Sequence, residues 1–432
     1  MMKILLLVTN HFPYGKAETF IENEYPYLAG HFDKITIISR NVKDSELRPV
    51  SENTTVYRHD PSTRGFKTII TALQCLWHLP LITHLFFKEI KNRSSRRIPI
   101  STIQKLFLLK RVIKAIELKQ FIISKISHHY KTEAKIVAYS YWFTAPSLAI
   151  SMLKDRKNLV KISRAHRFDL YEYEAEKHYL PLAKYCQESL NGLFFISEHG
   201  RNYFKRFSEN NKNLFVSKLG VKCNIGLPPV DNDAIRFVSC SSMKEVKRIH
   251  LIIDFIARLE FNKKIEWVHF GDGPLFNQLK KLCINRLGSR RDIKYTFMGH
   301  IPNKDLLNHY SKNHFHFFIN LSFSEGLPVS IMEAMAYGIP VIATDTGGSA
   351  EIVNNKNGIL VPVDFDPEAL AQETHGFIKK NINNWNQLRN EIISFWDENF
   401  NSEKNYSHFT QSIDSLFKKQ QGHRNYSKKN KS

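Results

Sequence analysis

Two carboxylates, Glu325 and Glu333, have seven residues between them in the stretch FSEGLPVSIMEAMAYGIPVIATDTGG, Phe323 to Gly348. The apolar run HFHFFINLS ends just before it, at Ser322. Pro328 suits the first position of a helix, and Gly338 suits a left-handed cap. A helix is therefore expected over Val329–Tyr337, with Glu325 in the loop ahead of it and Glu333 between one and two turns inside. The amides of Gly326, Leu327 and Val329 would be free near the helix start, where the helix dipole attracts an anion. Ionised carboxylates only accept hydrogen bonds, so they suit hydroxyl groups. A phosphate on those amides with a carboxylate on each side describes a nucleotide-sugar, Glu325 toward the sugar and Glu333 toward the ribose. The same spacing fits a plain helix whose exposed face carries Glu333, and spacing alone leaves both readings open.

The elements that must position these residues follow from the rest of the chain. At 432 residues it exceeds one ordinary domain. Strands are expected at Ile4–Val8, Lys34–Ser39, Ala134–Ser140, Leu159–His166 and Leu190–Ser197 in the first half. In the second half they are expected at Ile235–Ser242, Ile265–Pro274, Ile293–Gly299, His314–Ser322 and Ile339–Asp345. Helical stretches separate the latter, at Ile249–Leu259, Leu275–Leu287, Asn303–Lys312 and Val329–Tyr337. Such alternation predicts an α/β fold with parallel sheets covered by helices on both faces. Gly226, Pro228 and Pro229 mark a linker. Two domains are expected, 1–215 and 216–395, with a cleft between them. A helix over 396–417 is expected to pack back on the first domain, and 418–432 to be a disordered basic tail. In open parallel sheets ligands bind at the carboxyl ends of the strands.

Composition limits the partners. There are 62 basic and 41 acidic residues, a net charge of +21, which attracts anions of any kind. Five scattered cysteines show no zinc spacing and fit reduced thiols. The apolar run at the N-terminus, Ile4 to Val8, is too short for a signal peptide and reads as a first buried strand. Thr68–Phe87 lacks Asp, Glu, Lys and Arg over twenty residues, the length of a membrane span. Gln74, His78, Pro80 and His84 interrupt it, and a pair of helices is favoured. From Lys88 to Arg111 there are eight Lys or Arg and one acid, Glu89.

The carboxylate segment resembles the donor-binding signature of retaining glycosyltransferases of family 4, which have the GT-B fold of two Rossmann-like parallel-sheet domains. The matching residues are Glu325-Gly326-Leu327-Pro328, Glu333-Ala334-Met335-Ala336 and Gly338-Ile339-Pro340-Val341, then Gly347–Val353 and Asn357–Pro362. The resemblance implies that Glu325 binds the donor sugar and Glu333 the ribose. Ser241–Phe255 is similar to the family's diphosphate-holding strand, loop and helix. Lys247 matches the family Lys. The family Arg falls on Ser242, and Arg248 is expected to supply the missing charge. Gly271, in FGDGP, resembles the turn beside the nucleotide base, and Phe297–Ile301 the backbone that meets the base. In the first half, Ser163–Glu174 resembles the segment where a His reaches the reacting sugar, which points to His166. His11–Glu24 resembles the first loop, with Gly15 allowing close approach of a phosphate.

The chemistry so implied is transfer of a glycosyl group from a UDP- or GDP-linked donor, with His166 and Glu325 at the reacting sugar and no metal or other cofactor. Lys247, Arg248, the Gly15 backbone and the amides near Gly326 would stabilise the departing diphosphate. The basic and apolar region Phe66–Arg111 suits an anionic membrane face. A lipid-linked saccharide on the cytoplasmic side of the cell membrane is the expected acceptor, as in bacterial surface-polysaccharide assembly. Nucleic acid is not expected as a partner, since no nucleic-acid motif stands out. Two alternatives stay open: a basic membrane- or nucleic-acid-binding protein with a degenerate donor site, and an inverting GT-B enzyme.

Overall fold

The computed structural model describes residues 1–15, 17–18, 20–42, 46–59, 77–131, 133–208, 210–223 and 226–429. The chain divides into two compact units, Met1–Ser217 with Tyr406–Ser432, and Lys218–Asn405.

The first unit is built on β1 (Lys3–Thr9), β2 (Lys34–Ser39), β3 (Thr54–Arg58), β4 (Lys135–Ser140), β5 (Leu159–Ala165), β6 (Gly192–Phe195) and β7 (Leu214–Val216). The sheet order is β3-β2-β1-β4-β5-β6-β7, with every pairing parallel. Its strands are buried on both faces, so they read as continuous apolar runs. In β1, Ile4, Leu6 and Val8 join one core, while Leu5 and Leu7 join the other. The second core includes Phe409, Ile413, Leu416 and Phe417 from the C-terminal helix Ser402–Lys429. These four recur at helical spacing and anchor that helix to the first unit's sheet. Once nucleated, helical hydrogen bonding propagates at little further cost. The helix runs on to Lys429, through most of the tail that composition alone suggested would be disordered.

The second unit is built on β8 (Ala234–Cys240), β9 (Lys264–Phe270), β10 (Ile293–Phe297), β11 (Phe317–Asn320), β12 (Val341–Thr344) and β13 (Gly358–Val361). The sheet order is β10-β9-β8-β11-β12-β13, again parallel throughout. Gly226, Pro228 and Pro229 lie inside this unit, where Arg389 donates to the Pro228 carbonyl at 2.8 Å. The boundary falls before them because Leu219 and Val221 are already buried, and Val221 bonds the Phe400 carbonyl at 2.9 Å.

Both sheets are the doubly wound type expected, and each reverses its strand order once, at β1/β4 and at β8/β11. Loops leaving neighbouring strands diverge at such a point and open a crevice at the carboxyl edge. Three strands were not anticipated: β3, β7 and β13. All lie at sheet edges and have three to five residues, too short to give a clear period. Among the described residues no helix is long and apolar enough to cross a membrane. Residues 68–76 of the Thr68–Phe87 stretch lie outside the described residues. Its later part enters the helix Leu79–Ser95.

The first unit is pinned by a fully buried ion pair. Arg164 on β5 donates to Glu24 at 2.8 Å, and both side chains are 0% exposed. Tyr139 on β4 donates to the other Glu24 oxygen at 2.9 Å, and Arg164 also reaches Ser217 at 3.0 Å. The guanidinium lies 4.3 Å from the Phe409 ring centroid. Burial opposes protonation of Arg164, but the Glu24 carboxylate outweighs it and holds the Arg164 pKa above its ordinary value. Removing one partner strands the other charge. Glu24→Leu is expected to cost about 3–5 kcal/mol in urea unfolding, whereas loss of an exposed pair such as Arg201–Glu198 costs about 1 kcal/mol or less.

Candidate functional site

In the second unit the predicted residues gather at the β8/β11 reversal. After β8 the chain forms a short 3-10 turn, Glu245–Lys247. After β11 it forms the loop that carries Glu325. Phe323 donates to the Val246 carbonyl at 2.8 Å, which ties the two loops together. Lys247 Nζ then reaches Glu325 Oε1 at 2.6 Å. Asn320 Nδ2 donates to the same oxygen at 3.2 Å. Glu325 is 7% exposed. Burial opposes its charge, but Lys247 and hydrogen bonds involving Ser322 and Asn320 outweigh that and hold its pKa below the ordinary range.

Two glycines buttress this loop. Gly347 has φ of +58°, and a Cβ there would lie 1.9 Å from the Glu325 carbonyl oxygen. Gly348 donates to the Gly326 carbonyl at 2.7 Å. The amides of Gly326, Leu327 and Val329 have no acceptor among the described residues. The helix that follows spans Val329–Met335, and no side chain caps its first turn. It is shorter than the expected Val329–Tyr337, because the chain already turns at Ala336 to reach Gly338 at φ of +70°.

Glu333 lies within that helix and is 7% exposed, so it is not a carboxylate on a solvated face. Asn303 donates to it at 2.8 Å. Burial, only partly offset by that bond, raises its pKa to about 7. Arg248 takes a role the sequence did not foresee. Its Nε donates to Leu321 O and its Nη1 to Val363 O, both at 2.8 Å. These bonds clamp the end of β11 and leave only Nη2, buried and without a partner among the described residues. Gly271, at φ of +132°, packs where a Cβ would lie 1.9 Å from the Ser241 carbonyl oxygen. It therefore lets the loop after β9 pass directly against the loop after β8.

In the first unit the loops after β1, β4 and β5 form a second cluster. Glu18 accepts from the amides of Asn10, His11 and Phe12 at 3.2, 2.7 and 2.6 Å, and from the Trp142 indole. Gly15 has φ of +60°, and its amide donates to Glu46 O at 2.9 Å. That amide is spent inside the fold, so the donor expected from the Gly15 backbone is not open to a phosphate. His166 follows β5, and its ring packs against Tyr141, Trp142 and Phe20 at centroid distances of 4.8, 4.5 and 6.0 Å. Asp169 fixes the backbone by accepting from the amides of Phe143, His166 and Arg167 at 2.9, 2.8 and 3.1 Å. The His166 ring is 5% exposed, yet neither ring nitrogen has a hydrogen-bond partner among the described residues.

Residues 228–395 match the family model for glycosyl transferases group 1. The second unit carries a glycosyl transferases group 1 domain. Lys247, Arg248, Gly271, Glu325, Gly326, Leu327, Val329 and Glu333 all fall within this group 1 domain, while Gly15 and His166 lie outside it. A relative from Escherichia coli strain K12, described as a putative colanic acid biosynthesis glycosyltransferase, WcaL, is 28% identical over 223 residues, 49% of this chain and 53% of the relative. The chain thus spans about half the length of the curated relatives it matches. Among solved structures, the lipopolysaccharide outer core galactosyltransferase WaaB aligns with a TM-score of 0.65 at 14% identity, covering 96% of this chain and 99% of WaaB. The Anabaena protein Alr3699/HepE, solved with UDP and glucose, aligns with a TM-score of 0.61 at 14% identity, covering 96% and 100%. These likenesses establish the GT-B fold.

Sequence reasoning missed Asn303, Asn320 and Ser322 in the group 1 domain, and Glu18 and Trp142 in the first unit. They are ordinary residues that gain meaning only from what they touch. Three buried histidines of the second unit give a pH signature. Burial pulls His269 and His314 down to about 4, against weaker opposing hydrogen bonds, and places His316 well below its ordinary value. Their contribution is present above the unfolded value near pH 6.5 and is lost as pH falls toward 4. Glu333 acts oppositely: its contribution is present below its unfolded value and fades as pH rises through about 7. Three histidines outweigh one glutamate, so the melting temperature is expected to fall from pH 7 to pH 5. The fall should be steeper in Glu333→Gln, as read by calorimetry across that range.

Proposed function

We propose that this protein transfers a glycosyl group from a nucleoside-diphosphate sugar, UDP- or GDP-linked, to an acceptor hydroxyl with retention of anomeric configuration. The observation that carries this is the pairing of half-buried Lys247 with buried Glu325, beside the amides of Gly326 and Leu327 that have no acceptor among the described residues. A diphosphate has both a cation and free N–H donors there, and the sugar hydroxyls have a carboxylate. Glu333, deeper in the same helix, is assigned the ribose, with Asn303 orienting it. Arg248 holds the loop and offers Nη2. Gly271 keeps the loops close together at the base. His166 is assigned the reacting sugar, because both its ring nitrogens are buried without a hydrogen-bond partner among the described residues, Nδ1 lying 3.6 Å from Asp169.

The bond from the anomeric carbon to the phosphate oxygen breaks as the acceptor oxygen bonds to the same face, and the acceptor proton passes to the leaving phosphate. Lys247 and the loop amides stabilise the charge that develops on the diphosphate. The position of Glu325 at the sugar supplies orientation. No metal or other cofactor is assigned a step.

The acceptor is proposed to be a lipid-linked saccharide in surface-polysaccharide assembly, reached by peripheral binding at the cytoplasmic membrane face. Support comes from the polysaccharide-biosynthesis role of the Escherichia coli relative and from the surface of the helices Leu79–Ser95 and Thr102–Ile126. Leu79, Phe87, Ile103 and Leu106 are each more than half exposed, and Lys91, Arg97 and Lys105 are exposed with them. Arg93 does not belong to this face, since it is buried and pairs with Glu172 at 3.2 Å.

UDP or GDP at a hundred times its dissociation constant is expected to stabilise the protein by about 2.7 kcal/mol, seen as a rise in melting temperature. Glu325→Ala is expected to lower transfer at least about 100-fold. A product of inverted anomeric configuration by NMR would defeat the retaining assignment. For the membrane, flotation with phosphatidylglycerol-containing vesicles should recover the protein, and reversing Lys91, Arg97 and Lys105 to Glu should abolish recovery. Failure of the unaltered protein to float would remove the lipid-face assignment.

A further inference from the structure

A cluster of cations in the first unit has no part in the contacts described so far. Arg40 directly follows β2 at the carboxyl edge of the sheet, and its amide donates to Asn10 O at 3.1 Å. It is 6% exposed. Among the described residues its guanidinium makes no ion pair and no hydrogen bond, and Nε is buried without a partner. Lys110, Arg111 and Lys114 lie on the helix Thr102–Ile126, where spacings of three and four residues put Lys114 beside both others. None of the three has an ion pair among the described residues. Arg111 rests over the Phe107 ring at 5.1 Å.

These charges act on one another. Burial first, and then Arg111, lower the Arg40 pKa to about 10 against an opposing effect of Glu117. Burial, then Lys110 and Arg40, lower that of Lys114. Arg111 is held down chiefly by burial, and the carboxylates bearing on it include Glu176 and Asp169. Asp169 is the residue that fixes the His166 backbone. Ile38, two residues before Arg40, packs in the same core as Leu108, Val112 and Ala115 of the helix Thr102–Ile126, which sets that helix over the end of β2.

Cations held near one another, of which Arg40, Arg111 and Lys114 are partly or wholly desolvated, are unfavourable in the free protein and become favourable when an anion enters among them. A planar guanidinium with no partner is suited to bidentate phosphate binding. Four cations face three carboxylates, Glu117, Glu176 and Asp169, and Asp169 is already held by three backbone amides, so the remaining cationic excess suits a phosphate-type anion. We propose that Arg40, Lys110, Arg111 and Lys114 form a site for the phosphate or pyrophosphate of the acceptor. Naming the ligand as the acceptor's rests on the transferase assignment above; the anion site itself rests on the unpaired cluster.

The test uses the full chain with Lys247→Met, which removes the cation proposed for the donor diphosphate. Inorganic pyrophosphate should raise the melting temperature of Lys247→Met. The rise should vanish when Arg40→Gln or Arg111→Gln is added, and return in part with Arg40→Lys. Without ligand, Arg40→Gln should melt at or above the temperature of its parent, because the charge removed has no partner among the described residues. A lower melting temperature in Arg40→Gln, with the pyrophosphate response undiminished in both Gln variants, would make these cations structural and overturn the site. A larger rise with a water-soluble prenyl diphosphate than with pyrophosphate would support a lipid-linked phosphate as the ligand. Equal rises would support the bare phosphate group. UDP is titrated separately against the unaltered protein. Lack of a UDP response would defeat the donor site while leaving the pyrophosphate result to decide this one.

Discussion

A buried carboxylate stays ionised only beside a compensating charge, and the donor side of this protein is organised around that constraint. Glu325 and Lys247 meet at 2.6 Å although they stand 78 residues apart in the chain. They meet because β8 and β11 are sheet neighbours, and their loops leave the sheet on either side of the strand-order reversal. Arg248, Gly347 and the bond from Phe323 to Val246 then hold those loops in register. In the proposed reaction the pair is also poised to divide. A diphosphate draws on Lys247, and the sugar hydroxyls replace part of what Glu325 loses.

The first unit meets the same demand differently. Glu18 fills its own nest of amides, so the loop after β1 is already satisfied without a ligand. Among the described residues, the ring of His166 among aromatic side chains and the Nε of Arg40 are among the buried groups left without a hydrogen-bond partner. A parallel sheet gathers its loop chemistry at one edge, and this unit leaves its open valences there. The two units thus share an architecture but present different chemistry, carboxylates and free amides in one, an imidazole and cations in the other.

The parallel, doubly wound character of both sheets was readable from apolar runs alternating with helical periods, since strands buried on both faces leave little ambiguity. Interior strands such as Lys34–Ser39 matched their expected bounds. The edge strands β3, β7 and β13 did not register, because a short strand with few neighbours needs little apolar pattern. The tail beyond Lys418 misled for a related reason. Its basic composition argues for solvation, but Leu416 and Phe417 just ahead of it are buried in the core. The carboxylate segment was legible because a proline, two carboxylates and a closing pair of glycines stand at fixed spacings.

By itself the sequence determined the class of fold, the position of the loop and helix bearing Glu325 and Glu333, and the kind of ligand such groups accept. Local spacing suffices for these, since they depend on residues within a few turns of one another. Only the tertiary structure decided which charges are paired. It joined Lys247 to Glu325, gave Arg248 to backbone carbonyls, buried Arg93 against Glu172, spent the Gly15 amide, and left Arg40 without a partner among the described residues. Whether a charged group is free or satisfied depends on contacts between residues far apart in the chain, and no local pattern carries that information.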